Sequence, residues 1–357
     1  MPERGCRERP QAGNLGAMLS DQIRARLSLL NREPLAQATH GAAEIGGSTG
    51  TGTVSPEPML ATDEGWQTWR LNAETSAAEP NQWQLRTICY LEAGTEVENP
   101  AGRHLAIRMS WSLFGTDLPG QLERVQQAWT QHSADAEERK IHPDVAALGR
   151  SFPRDALFLD LETCGLGGAM VFLVGLLHQT PDGVVVEQLL ARNYAEERAI
   201  LTTLWQIAAD KRLLVTFNGK SFDWPMVHDR STLHRLGKRV FDGSVAPTRA
   251  DLLAPQDPRP ELPHFDVLHH ARRRWRSRLP NCRLQTLERH LCHRVRQDDV
   301  PGHAIPQAYH DFVRTGNTRS MESILHHNAL DLVTMTQVTM RMLYESSLPV
   351  SPIEPGT

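Results

Sequence analysis

DALFLDLET, residues 155–163, is the stretch whose reading decides the fold. Four apolar residues, Ala156 to Leu159, run into two carboxylates, Asp160 and Glu162, with one leucine between them. A short apolar run of this kind reads as a buried β-strand. Residues two apart on a strand point to the same face, so both acids project together from a rigid edge. Like charges so close repel, and burying them is costly unless a cation lies between them. A divalent metal is the usual answer. Two further acids follow downstream, Asp223 in FNGKSFD and Asp331 in HHNALD.

Outward from that strand, the pattern builds an α/β sheet. MVFLVGLLHQ (170–179) and VVVEQLLA (184–191) read as the next two strands, the second after the turn residues Pro181-Asp182-Gly183. Ala195 to Ala209 has apolar residues at helical spacing and acids in its first turn. RLLVTFN (212–218) is a fourth strand, followed by a helix over 222–236. From about 264 onward the chain reads as mostly helical. The fold class expected is a mixed sheet flanked by helices over 151–345. Residues 1–60 have a Gly/Ser/Thr-rich linker composition and read as poorly ordered. Residues 61–150 read as a small accessory segment, a β-hairpin turning at Asn99–Gly102 and then a polar helix. Residues 346–357 form a tail.

Bulk composition bounds the class. The chain has 357 residues, 40% of them hydrophobic, with net charge -4. The five cysteines (Cys6, Cys89, Cys164, Cys282, Cys292) form no CxxC pair, which fits a reducing cytoplasm better than a disulfide framework. The N-terminus carries charges and no apolar core, so no signal peptide is expected. The longest apolar stretch, Ala169 to Leu177, is about half a membrane span, so no membrane partner is expected.

Strand four ends at Asn218, and Asp223 opens the next helix, where its carboxylate can reach back over the sheet end. On the last long helix His327 lies four residues before Asp331 and shares its face, while His326 lies further round. Two acids from a strand edge and one from each of two helices then converge. Four oxygen donors suit two Mg²⁺ or Mn²⁺ ions, which activate water and stabilise the leaving oxygen of a phosphodiester. A neighbouring histidine suits proton removal from that water. Each residue also has a plain reading. A lone DxE is more often a surface ion pair, Asp223 a helix N-cap, and Asp331 a solvated helix acid. Their joint order favours the metal site.

DxE, NxxxFD and the C-terminal Hx3–4D resemble the DEDD exonucleases of the ribonuclease H-like superfamily. IHPDVAALG, FLDLETCGLGG, VFLVGLL, FNGKSFDWP, HFDVLHHARRRW, NCRLQTLE, DDVPGHAIPQAY and HHNALD together are similar to the YprB-like ribonuclease H-like domain family, over roughly residues 140–345. The resemblance implies that Asp160 bridges both metals, Glu162 and Asp331 hold the first, and Asp223 supports the second. It implies a 3′→5′ exonuclease acting on single-stranded DNA or RNA ends; the alternatives are a nucleic-acid-binding module of the same fold without turnover and a structure-specific endonuclease. The Hx4D form assigns His326 as the base, whereas the Yx3D and HNxxD patterns assign His327, which is preferred. Cys164 departs from the threonine common after DLET and touches none of the inferred ligands.

The stretch Phe265 to Arg296 holds nine arginines against Asp266 and Glu288, a local charge of +7 in an acidic chain. Arg272, Arg273, Arg274 and Arg276 are expected to bind phosphates and Trp275 to stack on a base. Asn218 and Lys220 are expected at the nucleic acid, and Phe222 either wedges a terminal base or packs in the core. Asp266 reads as a helix N-cap. Gly165-Leu166-Gly167-Gly168 lacks the GxxxxGK[ST] context of a phosphate loop.

Overall fold

The computed structural model describes residues 89–115, 117–132, 141–165, 168–236, 261–296 and 299–348; the 1–60 linker reading and most of the 346–357 tail lie outside them. The elements in chain order are α1 (Tyr90–Ala93), β1 (Thr95–Asn99), β2 (Gly102–Ser110), α2 (Leu118–His132) and α3 (Pro143–Ser151). Then come β3 (Ala156–Thr163), β4 (Val171–Thr180), β5 (Gly183–Leu190), α4 (Glu197–Ala208), β6 (Leu213–Thr216) and α5 (Asp223–Leu233). The chain continues with β7 (His264–Asp266), α6 (Val267–Trp275), α7 (Leu284–Leu291), α8 (Ile305–Thr315) and α9 (Arg319–Ser347).

The strands form one mixed sheet in the order β1-β2-β5-β4-β3-β6-β7. The pairs from β1 to β3 are antiparallel, and β3–β6 and β6–β7 are parallel. This is the ribonuclease H-like arrangement expected from the sequence. Parallel neighbours require crossovers, and the helices supply them. The hairpin is shorter than its sequence suggested, because Tyr90–Ala93 is helical. The described part of the 61–150 segment joins the main sheet, with β2 paired to β5 from Leu105↔Leu190 to Ser110↔Val185.

Strand parity sorts the core. Ala156 and Phe158 share one apolar cluster with α9, α2 and α6, including Leu325, Ala329, Val125 and Trp275. Leu157 and Leu159 share the other, with Ile200, Leu201 and Leu204 of α4 and Val227 of α5. Glu197 at the start of α4 ties the second layer together. It accepts from Val171 N–H (2.8 Å) and pairs with Arg230 and His234 of the α5 region. Among the described residues no helix is long and apolar enough to cross a membrane.

Candidate active site

Because Asp160 and Glu162 have the parity of Phe158, they leave the sheet on the face covered by α9. That helix carries His327 and Asp331 one turn apart, with Nε2 3.5 Å from Asp331 Oδ2. Asp223 arrives from the other layer. It is the first residue of α5, and its Oδ1 accepts the Leu161 N–H at 3.2 Å. The N-cap position belongs to Phe222, which makes no side-chain capping bond. The Asp223 carboxylate therefore faces β3 between the two other acids in sequence.

Burial and nearby negative charge raise the affinity of Asp160, Glu162 and Asp223 for protons. Burial, reinforced by Asp331, Glu162 and Asp223, holds Asp160 well above the ordinary carboxylate range. Burial pushes Glu162 up to about 8, with Asp331, Asp223 and Asp299 adding to it and His327 offsetting part. Asp223 is pushed up to about 7, first by burial and then by Asp266. Carboxylates that resist ionisation in this way form a site short of positive charge.

Asn328 holds Asp160 in place. Its Nδ2 donates to Asp160 Oδ2 at 2.9 Å, and its Oδ1 accepts from Gln188 Nε2 at 2.9 Å. Gln188 also donates to the Leu325 carbonyl at 2.7 Å. Both amides are fully buried. Gly175 of β4, the register partner of Asp160, makes the room: a Cβ there would lie 2.1 Å from Asn328 Oδ1. Gln188, Asn328 and Gly175 carry no chemistry as sequence. Only the HNxxD spacing, which puts Asn328 near Asp331 on α9, hints at the middle one.

The two adjacent histidines separate. His327 Nδ1 bonds Asp299 Oδ1 at 2.5 Å, leaving Nε2 toward the acids. Burial opposes its charge, but the Asp299 bond and the nearby Asp331 and Glu162 charges outweigh it and raise its pKa. Asp299 is lowered in turn, because the His327 bond and charge overcome burial. His326 turns away, its Nδ1 bonded to Tyr90 Oη at 2.8 Å, and burial lowers its pKa. Asp299 belongs to the DDVPGHAIPQAY stretch, yet nothing local marked it as the partner of His327. Arg296 was also missed in this role. Its guanidinium lies 2.5 Å from Asp331 Oδ1 and bonds Glu288 Oε2 at 2.6 Å.

That finding corrects the reading of the basic stretch. Arg294 and Arg296 are buried ion-pair partners of Glu288, 2.7 and 2.6 Å away, rather than phosphate ligands. Arg274 pairs with Glu345 at 2.6 Å. Trp275 is 1% exposed in the main core, so it offers no face to a base. Its apolar bulk wins over its stacking capacity, because Val267, Ala271 and Trp275 share the inner side of α6. Arg272, Arg273 and Arg276 are exposed, but at the far end of α6. Glu345, which marks that end, lies fourteen residues beyond Asp331 on α9, about 21 Å along the helix axis.

The loop after β6 remains at the acids. Asp266 caps α6 through Leu268 N–H (3.1 Å), as read from sequence. It also accepts the N–H groups of Asn218 (2.9 Å) and Lys220 (3.2 Å), fixing the loop that leads to Asp223. Asn218 sits there at φ 64°, and Gly219 packs where a Cβ would lie 2.4 Å from Thr216 Oγ1. Lys220 is exposed, and Phe222 is 39% exposed beside Asp223 rather than core.

The donor set fits hard ions: all four acids offer oxygen, and three of them bind protons unusually tightly. No three of the four bring one oxygen each within 4.8 Å of one another. The Arg296 guanidinium holds Asp331 on one side of this group.

The sequence family described as the RNase H superfamily matches residues 157–343. The uncharacterized protein YprB of Bacillus subtilis (strain 168) is 31% identical over 236 residues, which cover 64% of this chain and 51% of YprB. The chain thus spans about half the length of that relative. A family B DNA polymerase from the hyperthermophilic archaeon Pyrobaculum calidifontis superposes with a TM-score of 0.39 at 15% identity, covering 54% of this chain and 25% of the polymerase.

Proposed function

Since the chain belongs to the RNase H superfamily, we propose that it is a two-metal-ion-dependent nuclease, a 3′→5′ exonuclease of single-stranded DNA or RNA. The observation that carries this reading is the gathering of Asp160, Glu162, Asp223 and Asp331 around one end of β3, with burial raising the proton affinity of Asp160, Glu162 and Asp223. Asp160, Glu162, Asp223 and Asp331 would hold Mg²⁺ or Mn²⁺. When bound, such ions lower the pKa of a water and neutralise the leaving oxygen. The protein's own part is orientation and proton handling. Asn328 keeps Asp160 from rotating, and Asp266 sets the loop that delivers Asp223. His327, anchored at Nδ1 by Asp299, points Nε2 at the acids and takes the proton of the attacking water there. Lys220 and Phe222, exposed beside Asp223, meet the terminal phosphate and base.

One observation favours a second reading, a nucleic-acid-binding module without turnover. The Arg296 guanidinium already neutralises Asp331. A direct assay separates the two. The protein is incubated with 5′-labelled single-stranded DNA and RNA in Mg²⁺, Mn²⁺ or EDTA, beside Asp160→Ala. The expected result is a metal-dependent ladder that disappears in the variant. Binding without cleavage by folded, metal-loaded protein would reject the nuclease.

A further inference from the structure

Away from the acids, His142, Asp144 and His270 bring one ligand atom each within 4.8 Å of one another, the only such group among the described residues. Local structure explains the meeting. His142 is the N-cap of α3, with Nδ1 accepting the Asp144 N–H at 3.2 Å and Pro143 starting the helix. Both side chains therefore project from the first turn. His270 lies one turn into α6, buried, its ring stacked on Phe265 at 4.2 Å and edge-on to His142 at 5.0 Å. Its Nε2 is 3.3 Å from Asp144 Oδ2, and His142 Nδ1 is 3.9 Å from the same oxygen.

We propose that His142, Asp144 and His270 form a site for a borderline divalent cation of the zinc type, separate from the carboxylate centre. The dimensions fit. Zn–N and Zn–O bonds of about 2.0–2.2 Å in a tetrahedron put ligand atoms about 3.3–3.5 Å apart. The His270–Asp144 separation is already there, the His142–Asp144 one closes by a few tenths of an ångström, and the His142–His270 one starts within 4.8 Å; rotation of the exposed His142 closes the last two and exchanges the Asp144 N–H bond at Nδ1 for the cation. Two imidazoles and one carboxylate suit zinc or cobalt, whereas Mg²⁺ prefers the all-oxygen acids. His270 is held in place by its stacking on Phe265, with Nε2 turned to Asp144. Exposure of His142 leaves the fourth position to water. The ion would tie α3 to α6 across 126 residues of sequence. A plain hydrogen bond between His270 and Asp144 is the competing account, and at 3.3 Å it is a long one. Exposed Arg273 rests against His142 Nε2, and its charge opposes a cation.

Full-length protein in excess Mg²⁺ is titrated with Zn²⁺ by calorimetry and with Co²⁺ by visible absorption, beside His142→Ala, His270→Gln and Arg273→Ala. One Zn²⁺ per chain, tetrahedral cobalt bands without thiolate charge transfer, and a zinc-dependent rise in Tm are expected. His142→Ala should weaken zinc by more than about tenfold, the least expected even for an outer partner of a metal ligand. Arg273→Ala should bind more tightly. His142 is exposed, so its variant tests the site even if His270→Gln fails to fold. Equal zinc affinity in wild type and His142→Ala, a thiolate–cobalt band, or no binding by folded wild type would overturn the site. The result is independent of nuclease activity.

Discussion

At the scale of single residues, Asp160 depends on a buried amide for its orientation. Asn328 donates to Asp160 and accepts from Gln188, so both ends of its side chain are used. Truncation leaves a buried donor of Gln188 less satisfied, at a cost of about 1–3 kcal/mol. It also frees the Asp160 carboxylate. Asn328→Ala is expected to weaken Mn²⁺ binding roughly 10–100-fold, since partners that orient metal ligands matter to that degree. Calorimetric titration of Mn²⁺ checks this, and unchanged affinity would mean Asn328 is structural only. Gly175→Ala should act on the same point from the sheet side, because its Cβ would collide with Asn328 Oδ1. A single methyl is expected to lower Mn²⁺ affinity in the same direction, read in the same titration.

At the scale of elements, the loop from α7 into α8 and the helix α9 are joined by charges. Glu288 sits almost fully buried between Arg294 and Arg296, and Arg296 passes the link on to Asp331. Breaking such a group from one side leaves uncompensated buried charge, which costs about 3–5 kcal/mol. Glu288→Gln is therefore expected to lower the denaturation midpoint far more than an exposed substitution such as Arg289→Gln, as urea unfolding would show. The helix α6 gives the opposite case. Its exposed Arg272 and Arg276 stand near the Glu345 end of α9, away from the acids. Arg272→Ala combined with Arg276→Ala is expected to leave the salt dependence of single-strand binding unchanged. Loss of one phosphate contact would reduce that slope by about 1, so binding titrations over a range of salt decide the matter.

At the scale of the whole molecule, the metal-free fold carries its acids at a cost that depends on pH. The ordinary value for Glu162 is 4.5 and its value in the fold is about 8. Between those values the folded chain binds more protons than the unfolded one, so stability falls as pH rises. It levels off above about 8, where both states are ionised. Asp223 contributes with the same sign from its ordinary 3.8 up to about 7. Below about pH 6.5 the buried His264 and His270, both held down at about 4, oppose this trend, so thermal melts in EDTA are expected to show Tm declining from about pH 6.5 to pH 8. Mn²⁺ should raise Tm most at the alkaline end, where the ligands have already lost their protons. A Tm that rises through this range in EDTA would contradict the raised values.

What the sequence alone determined is what short-range periodicity encodes. The apolar run into DxE placed two acids on one face of β3, and the spacing of His327 and Asp331 placed them on one face of α9. The order of strands and helices determined the mixed sheet, because each strand's own composition pays for its burial. The tertiary structure decided which groups meet across long stretches of chain. Asn328 reaches Asp160 only because Gly175 lies beneath it, and Asp331 meets Arg296 only because α7 folds against α9. Trp275 reads as a stacking platform in sequence, but the sheet and α9 bury it in the core. The arginines after it are basic in any context, yet the direction of α6 carries them away from the acids. Pairings of this kind depend on helix packing and loop closure between distant residues, and no local spacing records them.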